Sequence, residues 1–403
     1  MDKLTTSYTN GASGGTIFTI TIPKTEGIYM SKLKKVRAHF HHAPKAIRLL
    51  LTLLLATAAG EIFYLIHSPL PWLLGPLLAT VVCVLLGFDK LWIPSSFRKG
   101  GLIVVGIVLG LRITPDIWQT MTQHIGQMLV ATIFTLLIGM LNAWIMHRVH
   151  RIDLTTSIFS NIPGGLSEMV TLGQSQGGNL QIISMFHSIR IVVIVALTPF
   201  LVTILSQKTI TPVLSGGDQL FGVWATIVVL AAGIVGAFLA SKLKMPAAFL
   251  LGPLFVTAVI SLSDTFSGGT QALAGWIVNG ALIAIGVSIG AEFKRDEVLQ
   301  YRKLFAASVV HSLVLFVLSI SLAVILAFTS GIQLFTSILA TAPGGIAEMS
   351  LTALATGADP LLVTAFQLFR VLFIVTIFSS CIRWYLRKHS GNKAKKEDTA
   401  PSL

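Results

Sequence analysis

The chain has 403 residues, of which 54% are hydrophobic and 11% are charged, and its mean hydropathy is +0.81. This composition leaves too little polar surface for a water-soluble fold, so it indicates an integral membrane protein built from helices. The formal net charge of +13 does not indicate nucleic-acid binding, because Lys and Arg concentrate at the termini and in short loops, as on the cytoplasmic face of a membrane protein.

The N-terminal region, residues 1–44, is polar at first and then basic, and we expect it to be disordered. Translation starts at either Met1 or Met30, since Met30 opens a basic lead into the first apolar stretch. No short apolar core with a small-residue cleavage site precedes that stretch, so a cleaved signal peptide is not expected.

Ten apolar stretches follow, most of them close to the length that crosses the hydrocarbon layer of a bilayer. These predicted spans are 48–66, 70–88, a shorter run at 98–112, 125–146, 180–205, 221–241, 246–262, 272–291, 304–328 and 361–385. Two further segments, 154–178 and 331–358, are only partly apolar and are interrupted by Pro and Gly. The pattern predicts ten crossings and two broken segments.

The sequence contains two copies of one unit. LLGP at 73–76 recurs at 250–253, and PGGLSEM at 163–169 recurs as PGGIAEM at 343–349. FHSIRIVVIV, which begins at Phe186, recurs as FQLFRVLFIV. The predicted organisation, listed in chain order, is the N-terminus 1–44, membrane repeat 1 at 45–206, a linker at 207–220, membrane repeat 2 at 221–388 and a disordered basic tail at 389–403.

The positions of Lys and Arg predict how the copies are oriented, because these residues are enriched in cytoplasmic loops. If each broken segment enters the membrane and returns on the same side, the basic loops at 89–99, 147–153, 241–245 and 292–303 all become cytoplasmic. Each copy then has five crossings, and an odd number makes the two repeats inverted. We therefore expect an all-α membrane protein with two inverted repeats, a re-entrant segment in each, and cytoplasmic termini in the bacterial inner membrane.

The two PGG breaks are the first candidates for a binding site. Irregular backbone at membrane depth is tolerated only against protein or a water-filled cavity, and the start of a half-helix offers free N–H groups that favour an anion. The alternative is a simple kink without a ligand. The candidate substrate-binding residues at the breaks are Asn161, Pro163, Gly164, Gly165, Ser167, Thr341, Pro343, Gly344 and Gly345.

Two acids and two arginines form the second set of candidates. Glu168 and Glu348 follow the glycines, and Arg190 and Arg370 lie in otherwise apolar spans at matched positions. Ionisable residues inside a membrane are costly and are functional candidates by default. Either Glu168–Arg190 and Glu348–Arg370 are buried structural salt bridges, or the acids take up a coupling proton or sodium ion while the arginines bind an anionic substrate.

The two copies also differ at matched positions, among them His187 and Gln367. We expect substrate specificity to reside at such differences.

The doubled LLGP and PGG-x-x-E-M unit resembles the AbrB-duplication family of bacterial integral membrane proteins, over residues 45–388. Members are described as regulators of gene expression or as ammonia monooxygenases, so the resemblance implies a membrane fold more than an activity. The organisation is also similar to elevator-type carriers of citrate and glutamate, which is an analogy of fold alone.

Three classes of function compete to explain this sequence. A monooxygenase needs clustered His or carboxylate ligands for copper or iron, whereas the histidines here are scattered. A membrane regulator of gene expression would act indirectly, because the chain leaves no soluble domain to read DNA. A secondary active transporter explains the duplication, the breaks and the buried charges together. The sequence therefore predicts alternating access for a small solute, expected to be an organic anion, driven by a proton or sodium gradient. We expect no catalytic residue, metal or cofactor, and a homodimer remains open.

Overall fold

The computed structural model describes residues 43–88, 91, 93–113, 115, 117–206, 219–263, 271–378 and 380–381. The predicted disordered N-terminus lies outside these residues except for its last two positions. Most of the predicted linker and all of the predicted basic tail also lie outside them.

Within the described residues the chain forms sixteen α-helices, numbered here in chain order. They are α1 Lys45–Leu65, α2 Pro71–Leu85, α3 Ser95–Gly110, α4 Ile117–Gln123, α5 Ile125–His150, α6 Leu154–Asn161, α7 Leu166–Ser175, α8 Leu180–Ser206, α9 Val223–Lys242, α10 Ala248–Leu262, α11 Gly275–Gly290, α12 Arg295–Gln300, α13 Arg302–Ser330, α14 Leu334–Thr341, α15 Ile346–Thr356 and α16 Pro360–Phe373. A π-helical turn, Ile374–Phe378, continues α16, and two-residue strands, β1 Gln219–Leu220 and β2 Gln271–Ala272, pair in parallel.

Seven helical segments of the described chain are long and apolar enough to cross a membrane. They are α1, α5, α8, α9, α11 continued by α12, α13, and α16 with its π-helical turn. The protein is therefore an all-α, multi-pass membrane protein, as the composition predicts.

Two predicted spans form shorter helices than their apolar lengths indicate. The stretch 70–88 gives only α2, and 246–262 gives α10, each of 15 residues. Both helices begin after a residue in the left-handed conformation, Leu70 and Ala247, each with φ 48°. Apolar run length overestimates these helices because it also counts residues in the tight turns at their ends. At 1.5 Å per residue each is about 22 Å long, short of the roughly 30 Å hydrocarbon layer.

Helices α1–α3 and α9–α11 pack mainly with one another and form what we call the six-helix group. In this group the halves of the chain interlock. Gly106 of α3 lies against the carbonyl of Leu250 in α10, and Gly286 of α11 lies against the carbonyl of Leu73 in α2. The glycine-containing helix of each half therefore packs on the LLGP helix of the other half, and glycine allows this close backbone approach.

Helices α5–α8 and α13–α16 form a second unit, the eight-helix group, which contains both PGG breaks. In each half the break joins two short helices whose outer ends meet. The backbone N–H of Asn179 donates to Thr156 Oγ1 at 2.7 Å, and the N–H of Asp359 donates to Thr336 Oγ1 at 3.0 Å. Helices α6–α7 and α14–α15 are thus two helical hairpins, each with its PGG at the tip.

We expect Thr336→Val to loosen the second hairpin. Valine keeps the shape of this buried side chain but removes the oxygen that accepts from the Asp359 N–H, and a buried donor left without an acceptor costs about 1–3 kcal/mol. The thermal unfolding midpoint of the purified protein should fall. The matched control is Thr329→Val, whose exposed hydroxyl bonds only to its own helix and whose loss should leave the midpoint unchanged. Equal midpoints for the two variants would contradict this role of Thr336.

Candidate functional site

The PGG-x-x-E-M motif has a local structural explanation in each hairpin. Met169 and Met349 are fully buried, and each packs against the first glycine of its own motif, Gly164 or Gly344, where a Cβ would overlap the methionine side chain. In the second hairpin the carboxylate of Glu348 folds back over the next glycine of the motif. The glycines are therefore needed because the methionine and glutamate side chains occupy the space beside them.

The tips of both hairpins line one cavity of about 310 Å³. The cavity lies between the eight-helix group and the six-helix group. The eight-helix group contributes Pro163, Gly164, Gly165, Arg190, Ile191, Pro343, Gly344, Gly345, Ile346, Ala347, Glu348, Arg370 and Val371, and the remaining lining residues are Arg98, Leu102, Pro246, Ala247, Leu250, Ile289 and Glu292. A volume of this size is at the lower end for small-molecule sites.

Arg370 belongs to α16, and its guanidinium lies at the C-terminal end of α14, where helix carbonyls have no partner within the helix. It is 4% exposed, and its Nη1 donates to the carbonyls of Thr341 at 3.4 Å and Ala342 at 3.0 Å. Its Nη2 donates to the Gly344 carbonyl at 3.3 Å and to Gln367 Oε1. A cation at this negative end of the helix dipole is favourable, so Arg370 holds the broken backbone in place.

Arg190 has the same role in the first hairpin. Its Nη1 donates to the carbonyls of Asn161 at 3.4 Å and Ile162 at 3.3 Å, and its Nη2 donates to His187 Nδ1 at 2.7 Å. His187 Nε2 in turn donates to the Phe159 carbonyl at 2.8 Å. The two arginines therefore hold matched positions in the two hairpins, and both line the one cavity, one from each half of the chain.

The site has counterparts in other chains. Residues 72–386, which include both hairpins, match the family model described as Transition state regulatory protein AbrB. The chain belongs to the AbrB family. It is 28% identical over 371 residues to "Uncharacterized protein YhjN" of Bacillus subtilis (strain 168), covering 86% of this chain and 96% of that protein. It is 24% identical over 337 residues to "Putative regulator AbrB" of Escherichia coli (strain K12), covering 82% and 94%.

In this AbrB-family chain Glu348 and Arg370 do not form the structural salt bridge that was one of the two alternatives for this pair. Arg370 donates to backbone carbonyls and to Gln367, whereas the Glu348 carboxylate turns toward Gly345, at the N-terminus of α15. Glu348 is the third residue of that helix, from which a side chain can reach back to the first turn. Each charge thus lies at the end of a different half-helix.

The structure brings most of the predicted binding residues to the cavity but not all. Asn161 is buried with its amide donating to Ser157 O and Met146 Sδ, and the hydroxyl of Thr341 donates to Ser337 O. Both side chains contribute to packing beside the breaks and do not line the cavity. The side chains of Ser167 and Glu168 lie outside the described part of the structure, so Glu168–Arg190 stays a prediction.

The difference between His187 and Gln367 does not reach the cavity wall either. Both side chains are fully buried, and each donates to backbone carbonyls of the preceding half-helix while accepting a hydrogen bond from its arginine. His187 and Gln367 therefore make equivalent contacts in the two halves, each linking its arginine to the backbone of a half-helix. The expectation that specificity resides at this pair has no support in their positions.

Sequence reasoning missed Arg98 and Glu292, which form an ion pair at the cavity and come from the six-helix group. Arg98 was counted only among the basic loop residues, and Glu292 follows the end of an apolar stretch. The residues are far apart in the chain and share no motif. No local signal indicated that they would meet.

Proposed function

We propose that this AbrB-family protein is a secondary active transporter of a small organic anion that works by alternating access. The observation that carries the proposal is the single cavity lined by both PGG tips and both buried arginines, between two groups of helices. Broken helices that meet at a shared site between repeats are the general plan of such carriers.

Charge favours an anion as the substrate. Arg190 and Arg370 are each 4% exposed and line the cavity, and the starts of α7 and α15 face it with the positive ends of their dipoles. Arg98 is paired with Glu292, so it adds no uncompensated charge. The wall therefore attracts negative charge more than positive charge.

Contacts at the helix ends support inverted repeats and re-entrant hairpins. The Arg98–Glu292 pair joins the start of α3 to the end of α11, so these matched helices run in opposite directions. The Tyr301 hydroxyl donates to Gln181 at 3.2 Å, which places the start of α8 beside the basic 292–303 loop. On this proposal the first hairpin would enter and leave on the side of the basic loops, which the distribution of Lys and Arg predicts to be cytoplasmic.

The mechanism we propose is movement of the eight-helix group, which holds the hairpins, relative to the interlocked six-helix group. The cavity at their boundary would open first to one side of the membrane and then to the other. Glu348, and Glu168 at the matched position, would take up the coupling proton or sodium ion, because a buried carboxylate near a substrate site is suited to ion uptake.

The name of the Escherichia coli relative favours a second role, in regulation. For this chain we propose that any effect on gene expression is indirect, through the concentration of the transported solute.

The test combines a metabolite panel with transport. Ligands that raise the thermal unfolding midpoint of the purified protein are tested for uptake into liposomes under a proton or sodium gradient. We expect Glu348→Gln to reduce gradient-driven uptake about tenfold or more, because an amide can neither take up and release a proton nor bind a sodium ion with a negative charge. The control is Glu297→Gln, which removes a carboxylate whose ion pair with Lys294 lies outside the cavity. The transporter proposal would be refuted if no metabolite of the panel stabilised the wild-type protein and none was taken up by liposomes that contain it.

A further inference from the structure

The two buried arginines share an unusual feature beyond their matched positions. In each, the Nη atoms donate to protein acceptors, whereas the third donor atom, Nε, is buried and has no hydrogen-bond partner. A buried donor without an acceptor is costly, so each arginine has one unsatisfied donor within the described structure. Both side chains line the same cavity, where an anionic ligand would supply further acceptors.

Charge leads to the same conclusion. Within the described structure neither Arg190 nor Arg370 forms a salt bridge, and both side chains line the same cavity. Glu348 is directed to the start of α15, and Glu292 is paired with Arg98. A ligand with two negative charges would pair with both guanidinium groups, since a buried charge is stable only when it is paired.

We propose that the substrate of this site is a two-ended dianion, a linear dicarboxylate, with one carboxylate at Arg190 and the other at Arg370. This inference rests on the proposed transport function and narrows its substrate class. One end then interacts with each half of the chain, so the ligand lies across the boundary between the repeats. A cavity of about 310 Å³ suits a small metabolite of this kind.

The experiment measures binding to the purified full-length protein in detergent. The probes are unbranched α,ω-dicarboxylates with three to six carbons, each compared with its own monoamide, which has nearly the same shape and one charge fewer. We expect at least one dicarboxylate to bind about tenfold or more tightly than its monoamide. Sulfate, with both charges on one group, should bind no better than the monoamides. Equal binding of the diacid and monoamide, tighter binding of sulfate, or no binding by any diacid would overturn the proposal.

Variants assign the two ends. Arg190→Gln and Arg370→Gln should each reduce the preference for the diacid over its monoamide to less than about twofold, because one carboxylate then has no cation to meet. If a glutamine variant does not fold, Arg190→Lys or Arg370→Lys keeps the charge and should retain a measurable preference. A preference that survives unchanged in both glutamine variants would remove the arginines from the site.

The two proposals can fail separately. A neutral or singly charged solute that stabilises the protein and is taken up by liposomes would refute the dianion and leave the transporter intact. Diacid binding without any uptake or exchange would refute transport and leave the binding site.

Discussion

Replacing Arg370 with alanine is expected to abolish transport and to destabilise the second hairpin at the same time. The guanidinium donates to the carbonyls of Thr341, Ala342 and Gly344. Within the described structure Gln367 also donates to the Ala342 carbonyl, but no other side chain donates to both Ala342 and Gly344. Hydrogen bonds from a charged group contribute about 1.5–3 kcal/mol each, so we expect a loss of about 3 kcal/mol or more. Uptake should fall to the background of empty liposomes.

Two further variants separate charge from geometry at this position. Arg370→Lys keeps the positive charge but lacks the planar fork that reaches several carbonyls, so it should recover part of the ligand binding and little of the stability. The matched control is Arg148→Ala, which removes an exposed arginine that lies over the Trp144 ring at the edge of the eight-helix group. An Arg370→Ala protein with wild-type unfolding midpoint and wild-type uptake would show that the arginine neither holds the hairpin nor binds substrate.

Gly286→Ala is expected to disrupt the interlocking of the two halves. The added methyl group would overlap the Leu73 carbonyl, and that backbone can move only if α11 separates from α2. Overpacking of this kind costs about 1–3 kcal/mol of stability. We expect a cost near the upper end of that range, because the overlapped atom belongs to the backbone and cannot turn aside as a flexible side chain could. We expect a lower thermal unfolding midpoint and a smaller yield of monodisperse protein.

The same helix provides the control. A Cβ at Gly280 meets nothing within 4 Å, so Gly280→Ala should be neutral or stabilise α11 by up to about 1 kcal/mol through helix propensity. The comparison can be repeated in α3, where Gly106 lies against the Leu250 carbonyl and Gly100 has open space. If Gly286→Ala and Gly280→Ala unfold at the same temperature, the close approach of α11 and α2 is not essential to the fold.

The fold was predictable where a single segment contains the whole signal. Apolar runs predicted most of the long helices, and the PGG segments predicted the breaks after Asn161 and Thr341, because proline cannot donate the hydrogen bond that would continue a helix. Repetition of PGG-x-x-E-M predicted that the two breaks are equivalent. The predicted span 70–88 continues three residues beyond the end of α2, because hydrophobicity does not distinguish a helix end from the tight turn next to it.

The candidate site was predictable only in part. Both arginines and Glu348 were identified because an ionisable residue in an apolar segment is conspicuous, and all three line the cavity. Whether Glu348 and Arg370 form an ion pair was left open, since matched spacing in two repeats does not show which groups meet. In the structure the backbone groups at the ends of the half-helices lie beside the charges of Arg370 and Glu348.

The sequence by itself determined that this is a duplicated helical membrane protein, broken at two PGG motifs that each have an acid nearby and an arginine further on. These features depend on local chemistry, on the missing N–H of proline, the absent side chain of glycine and the cost of charge in lipid. Only the tertiary structure decided that the halves interlock through Gly106 and Gly286, and that Arg98 and Glu292 join the cavity. Such contacts depend on how helices distant in the chain pack together, and the spacing of residues along a sequence does not determine that.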